Sequence, residues 1–304
     1  VTTNIVVKEW LWHYPNKKKK IIFEREINTF MFPRDYSIEL GKYKTSVREN
    51  VLFLSVLASL NWSVAKLIVD EIKNIEIVSG IDRGQTLDYS FSQFLKDPEY
   101  KKKMLEMIIE SDFGILDIKS EEREVTVEDA IKNMPPQLIN LIVQGKGAFL
   151  ERKLLTLHKL FDSKENELNA VQQDFFKASD GTQQMFALSG PFVDTLLKGK
   201  TLIIDEIDIS LHPLLCEFIL KLFNSKDKNQ NNARLIFTTH DIHLLDKDYL
   251  RRDQILFTEK NKLGASEIFS LAELKERNSL NYSKRYLEGR YGAVPYIKSL
   301  EDIE

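Results

Sequence analysis

The chain has 304 residues and a single cysteine, Cys216. One thiol excludes an internal disulfide and fits a reducing compartment, so a buried core must hold the fold. Cys216 lies among apolar residues after Pro213 and reads as a small buried hydrophobe. An excess of one charge is also lacking, since 43 basic and 46 acidic residues leave a net charge of -3 and a pI near 6.1. That excludes a global basic field, and any nucleic-acid contact would need a local patch or a partner. The longest apolar stretch, Val51 to Val69, is broken by Ser55, Ser59, Asn61, Ser63 and Lys66. It predicts a core helix or helix pair and no membrane contact. The opening residues, VTTNIVVKEWLWHY, lack the basic start and apolar core of a signal peptide and carry no initiator Met. A cytoplasmic protein is expected, and the chain reads as the continuation of something longer. The most consequential absence is that of G-x-x-x-x-G-K-[ST], the loop that wraps phosphates between a strand and a helix. The triplet Gly199-Lys200-Thr201 imitates its end, but position 194 is Asp and an apolar strand follows. Gly41-Lys42 and Gly145-Lys146 also lack the upstream glycine.

What is present suffices for a folded domain or two, with 43% hydrophobic and 29% charged residues. VVKEWLWHY and KKIIFEREI flank PNKK, which predicts a β-hairpin within residues 1–49, its tip at Lys17 to Lys20 solvated. Residues 50–160 turn helical in pattern, as in KKKMLEMIIESDFGI and PPQLINLIV, with charged segments such as KSEEREVTVED between; they predict a mostly helical insertion with a small strand element. A turn is expected at Asp162 to Asn166. Over residues 161–304, TLIIDE, ARLIFTTH and QILFTEK are short apolar runs with polar ends, the pattern of strands covered on both faces of a parallel sheet. HPLLCEFILKLFNS between the first two supplies a crossover helix. The fold class expected is therefore α/β.

Three motifs carry chemistry. An apolar strand ending in Asp205 and Glu206 sets two carboxylates at the carboxyl edge of a sheet, where doubly wound folds bind ligands. There Asp205 could hold Mg²⁺, usually through water, and Glu206 could orient and deprotonate an attacking water. A second strand, LIFTTHD, ends in His240, placed to reach a phosphate in the same cleft. Upstream, Ser179, Asp180, Gly181 and Thr182 precede an apolar helical run and would offer a hydroxyl, free N–H groups and a helix dipole to phosphate. The same cluster would also serve as an ordinary helix cap. Of the remaining histidines, His212 reads as structural or inter-subunit, and His13, His158 and His243 lack metal-ligand spacing.

In this order and spacing, SDGTQQ, LIIDE and TTH resemble the signature, Walker B motif and switch histidine of ABC-type ATPases. DEIDISLHP resembles the form seen in the SMC-like, RecF-like and OLD-like branch. More broadly, VVKEWLWHYP, ENVLFLSVLASLN, MIIESDFGILDI, LHKLFD, QILFTEKNKLGASEIFSL and RYLEGRYGAVPYI resemble the AAA-family ATP-binding proteins of the RloA-like group, found in anti-phage defence. That resemblance implies an ABC-type P-loop NTPase-like sheet with ATP and Mg²⁺ as cofactors. It also implies a Walker A loop in a lobe upstream of Val1, so this chain looks like the carboxy-terminal two-thirds of such an ATPase. Asp205, Glu206 and His240 would then serve one nucleotide, while Ser179 to Thr182 would close over another held by a second subunit. The implied partners are a further copy of the chain and an effector nuclease or toxin, with nucleic acid possible. Two other readings stand: a RecF- or SMC-like DNA-repair ATPase, which would want heptad arms or a basic groove, and a scaffold without turnover if no Walker A lobe exists.

Overall fold

The computed structural model describes residues 5–111, 113–125, 149–164, 166, 168–245, 249–261, 263–274 and 281–294. The chain forms two compact units, residues 1–76 and 77–304. The division at Glu76 falls within the stretch that the sequence assigns to the helical insertion.

In the first unit, β1 (Lys8–His13), β2 (Lys20–Glu26) and β3 (Thr29–Met31) form an antiparallel sheet in that order. The expected hairpin is present, its turn made by Asn16 and Lys17 with φ of 53° and 63°, and Lys17 to Lys20 are exposed at its tip. Lys19 Nζ sits 3.0 Å from the centre of the Trp12 ring. The helices α1 (Arg34–Gly41), α2 (Phe53–Ser59) and α3 (Ser63–Lys73) follow. The long apolar stretch is thus a helix pair, bent by 106°. Asn61 takes the left-handed φ of 60° at the break. Among the described residues, no single helix is long and apolar enough to cross a membrane. Glu9 caps α2 from the strand, accepting the N–H groups of Phe53 and Leu54 at 2.7 and 2.9 Å. Phe23, Leu40, Phe53, Leu57 and Ala65 form the core beneath.

The second unit is built around a parallel pair. After β4 (Ile75–Ser79), the helices α4 (Arg83–Lys96) and α5 (Pro98–Glu110) are followed by an antiparallel sheet of β5 (Ile115–Val125), β6 (Phe149–His158) and β7 (Val171–Asp174). Asp97 starts α5 by accepting the Glu99 N–H at 2.8 Å, with Pro98 in the first turn where its missing N–H costs nothing. The charged run Lys119 to Glu124 lies in a strand, β5 pairing with β6 over ten positions. PPQLINLIV lies outside the described residues. The expected turn is formed by the Asp162 side chain, which accepts the N–H groups of Lys164 and Asn166.

Next come α6 (Asp180–Lys198), β8 (Thr201–Asp205), α7 (Pro213–Asn224) and β9 (Arg234–Phe237). β8 and β9 are parallel, joined through α7 as the sequence predicts, and β4 lies on the other side of β8. Leu202 and Ile204 point into a core with Phe186, Phe192, Cys216 and Ile219. Burial and the nearby Asp208 and Asp241 charges push the Cys216 thiol up to about 12, so it is an inert apolar filler. Of the strands expected to be covered on both faces, β8 has no exposed residue before Asp205, whereas Ile236 of β9 is 54% exposed on the outer face, as is Ile77 of β4 at 75%. QILFTEK departs from expectation too: β10 (Leu256–Lys260) pairs antiparallel with β11 (Ser266–Ser270), apart from the parallel pair. The reason is local. Asn261 accepts the N–H groups of Leu263 and Ala265, and Gly264 adopts a φ of 79°, which closes a hairpin before any crossover can form. The short helix α8 (Tyr282–Leu287) brings Tyr282 into a small core with Ile255, Phe257, Leu271 and Tyr291. Arg290, singled out in EGRYGAVP, pairs with Glu288 at 2.9 Å.

Candidate functional site at the carboxyl edge of the parallel pair

β8 ends at Asp205, and the chain then turns sharply. Glu206 has a φ of 56°, a left-handed conformation that costs a residue with a Cβ roughly 1–2 kcal/mol. The turn is held from β9: Thr238 accepts the Ile207 N–H through its carbonyl at 3.1 Å and donates its own N–H to the Ile204 carbonyl at 3.0 Å. Ser210, also left-handed at a φ of 59°, completes the IDIS loop, and the Ile209 N–H donates to the Glu206 carbonyl at 3.2 Å. Strain of this kind persists only where neighbouring structure over-determines it. Here the determinants are β9 and β4.

From β4, the Gly80 N–H donates to the Asp205 carbonyl at 2.7 Å. A Cβ on Gly80 would lie 2.3 Å from the Glu206 carbonyl oxygen, so only glycine lets β4 approach the turn this closely. From β9, His240 stands with its Nε2 3.7 Å from Glu206 Oε1, on an imidazole that is 84% exposed. Its backbone N–H donates to Asp208 Oδ1 at 3.3 Å. The two acids and the histidine thus share one open strand edge. A shallow hollow of about 200 Å³ at the far end of α7, lined by Leu220, Lys221, Asn224, Ser225 and Tyr249, contains none of them.

The amino terminus of α6 reaches the same edge. Ser179 caps it, accepting the Thr182 N–H at 3.2 Å and bonding the Thr182 hydroxyl at 2.8 Å. A Cβ on Gly181 would sit 3.0 Å from the Ser210 carbonyl oxygen, so this glycine abuts the loop that follows the acids. Asp180 is 75% exposed and pairs with Arg83 at 3.0 Å. Gln184 donates to the Gly80 carbonyl at 3.2 Å, which ties α6 to the strand end touching Asp205.

All seven residues singled out in the sequence therefore gather at one edge of the second unit. Arg83, Gly80 and Thr238 join them without having been singled out. Thr238 carries a readable signal, a hydroxyl two positions before His240, whereas Gly80 and Arg83 lie over 90 residues from their partners in the chain and are silent in sequence. His212 caps α7, its Nδ1 accepting the Leu214 N–H at 3.2 Å. Among the described residues, no group of three His, Cys, Asp or Glu side chains could cage a metal ion. Exposed carboxylate oxygens of Asp205 with a hydroxyl beside them form a hard donor set. That set suits Mg²⁺, which takes one or two carboxylates and fills its remaining positions with water and phosphate.

Acids closing a parallel strand, beside a helix amino terminus, mark the class of α/β folds that bind ligands at the carboxyl sheet edge. Residues 1–246 match the model of the family AAA_21, described as "AAA domain, putative AbiEii toxin, Type IV TA system", and the chain belongs to that family. It is an AAA domain. A comparison with curated proteins finds no match. Among solved structures the chain is similar to that titled "Crystal structure of the SmcHead bound to the C-winged helix domain of ScpA", at 15% identity and a TM-score of 0.37, covering 64% of this chain. The match spans 55% of the length of that structure's chain.

Proposed function

We propose that this chain is the hydrolytic portion of an ABC-like ATPase that acts on ATP with Mg²⁺. The observation that carries the reading is the edge itself: two adjacent carboxylates on a braced turn, His240 3.7 Å from Glu206, and the capped end of α6 against the same loop. Asp205 holds Mg²⁺, directly or through water. The cation's chemistry is to neutralise charge on the phosphates. Glu206 orients the attacking water and takes its proton, and His240 reaches the terminal phosphate. Ser179, Asp180, Gly181 and Thr182 close over a nucleotide held by a second copy of the chain, so that hydrolysis loosens the pair. The phosphate-wrapping loop is supplied from outside these 304 residues, which contain no G-x-x-x-x-G-K-[ST]. In this reading residues 1–49 continue a preceding lobe, 50–160 are the insertion and 161–304 the ATPase lobe. The ATPase in this reading acts in the cytoplasm and controls an effector nuclease or toxin in defence; the toxin named in the family description supports the link to a toxin alone.

The test is Glu206→Gln in a protein that also carries the phosphate-binding loop. The change keeps shape and removes the base, so ATP binding is expected to persist, turnover to fall at least a hundredfold, and the ATP-bound dimer to accumulate. Turnover within a few-fold of the wild type would refute the assignment. The missing phosphate loop favours one other reading, a scaffold that assembles without turnover; nucleotide-independent dimers with no hydrolysis in any assembled form would establish it.

A further inference from the structure

We propose that Thr238 is the positioning residue of the acid pair, with one hydroxyl setting both carboxylate-bearing residues at once. The inference rests on the hydrolytic reading of Asp205 and Glu206. Thr238 Oγ1 donates to Asp205 Oδ1 at 2.6 Å and accepts the backbone N–H of Glu206 at 2.8 Å. A hydroxyl has one proton to give, and here it goes to the carboxylate, so its direction is fixed by charge. The other Asp205 oxygen is left for a cation. With the two backbone bonds from the same residue, Thr238 makes a hydrogen bond to each residue from Ile204 to Ile207.

The backbone bonds alone would hold β9 against β8 with any residue at position 238. They do not engage the N–H of the turn's left-handed residue itself: the Glu206 N–H donates to the Thr238 hydroxyl. That turn takes the Glu206 side chain out of strand alternation and brings its Oε1 to 3.7 Å from His240 Nε2. On the opposite flank the space is closed by Gly80, against which a relaxed Glu206 carbonyl would have to move. Thr238 itself is exposed, as a residue beside a ligand edge would be, and its methyl fills no core. Its hydroxyl therefore acts on the geometry of the acids rather than on the stability of the fold.

The test compares Thr238→Val, which keeps the shape, with Thr238→Ser, which keeps the hydroxyl. In the 304-residue chain, hydrogen exchange at the Glu206 amide is expected to be about fivefold or more faster in the Val variant and near wild type in the Ser variant. In the protein that also carries the phosphate-binding loop, Val is expected to lower kcat roughly 10- to 100-fold with KM for ATP within about threefold, and to raise the Mg²⁺ concentration giving half-maximal rate. Ser is expected to restore kcat to within about threefold. A Val variant with unchanged amide exchange and unchanged kcat overturns the proposal, as does a Ser variant that behaves like Val. If Glu206→Gln retains turnover, the hydrolytic reading fails instead, and the exchange result at Glu206 separates the two failures.

Discussion

Asp194 is fully buried and faces three donors: Lys198 Nζ at 2.5 Å, Lys200 Nζ at 2.6 Å and the Tyr100 hydroxyl. Burial pushes its carboxyl up, but hydrogen bonds from Lys198, Lys200 and Tyr100 outweigh that and hold it at about 2, below the ordinary 3.8. A depressed carboxyl contributes stability that is present above its unfolded value and is lost as pH falls through its folded value. Asp194→Asn is therefore expected to cost about 2 kcal/mol at neutral pH, with the gap to wild type closing between about pH 4 and pH 2. Urea midpoints of both proteins across that range measure it; a gap that stays constant would show that the charge is not what stabilises. The same residue explains the false phosphate loop. Position 194 is where that loop needs glycine, and Lys200 of the Gly-Lys-Thr triplet is spent on the Asp194 carboxylate. The sequence pattern rules out phosphate binding here, yet it gives no hint of the buried clasp, because Tyr100 lies 94 positions away.

At the scale of the element, α6 contains Pro191, which has no N–H to offer the carbonyl of Ala187 one turn earlier. Ser90 of α4 supplies the missing donor, its hydroxyl bonding the Ala187 carbonyl at 2.5 Å while it accepts the Gly190 N–H at 3.2 Å. A Cβ at Gly190 would lie 2.3 Å from that hydroxyl, so glycine is what lets the helices meet. Ser90→Ala leaves a buried carbonyl unsatisfied and is expected to cost about 1–3 kcal/mol. In a Pro191→Ala background the helix regains its own donor, and the same Ser90→Ala change is expected to cost at least 1 kcal/mol less. Equal costs in the two backgrounds, measured by denaturant unfolding, would show that Ser90 acts by packing alone. At the other end, Ser179→Ala should cost on the order of 1 kcal/mol and Ser179→Gly a few tenths, since both lose the cap but glycine suits the position. α6, α7 and the β8–β9 pair were legible in sequence from apolar runs and caps. The departures have different causes: the local Asn261–Gly264 turn folds β10 into a hairpin, and the outer sheet face leaves Ile77 and Ile236 exposed. Apolar content marks a strand but does not say which strand will lie beside it.

For the whole molecule, the acids, histidine and helix cap form one edge, but backbone N–H groups to wrap a triphosphate are missing from the sequence. Those groups and the loop lysine provide most contacts to the β- and γ-phosphates. Titration of the 304-residue chain with ATP and Mg²⁺ is expected to give no calorimetric signal at micromolar concentrations. A micromolar dissociation constant would mean that phosphates are wrapped by residues other than the missing motif.

The joints that define the second unit also set the order of its assembly. Ser90 waits for Ala187, 97 positions later, and Gly80 for Gln184, 104 positions later. The entropy of closing such spans rises slowly with length, so the penalty in stability is small, but non-local pairing slows folding. During synthesis at about 5–20 residues per second, α4 remains without its partner for roughly 5–20 s after leaving the ribosome. Throughout that interval Phe94, Met104 and Ile108, all buried at the end, face water with only their near neighbours to cover them. The nascent chain is thus most exposed to aggregation and proteases just before α6 emerges, and truncations that stop short of Asp180 leave that exposure permanent.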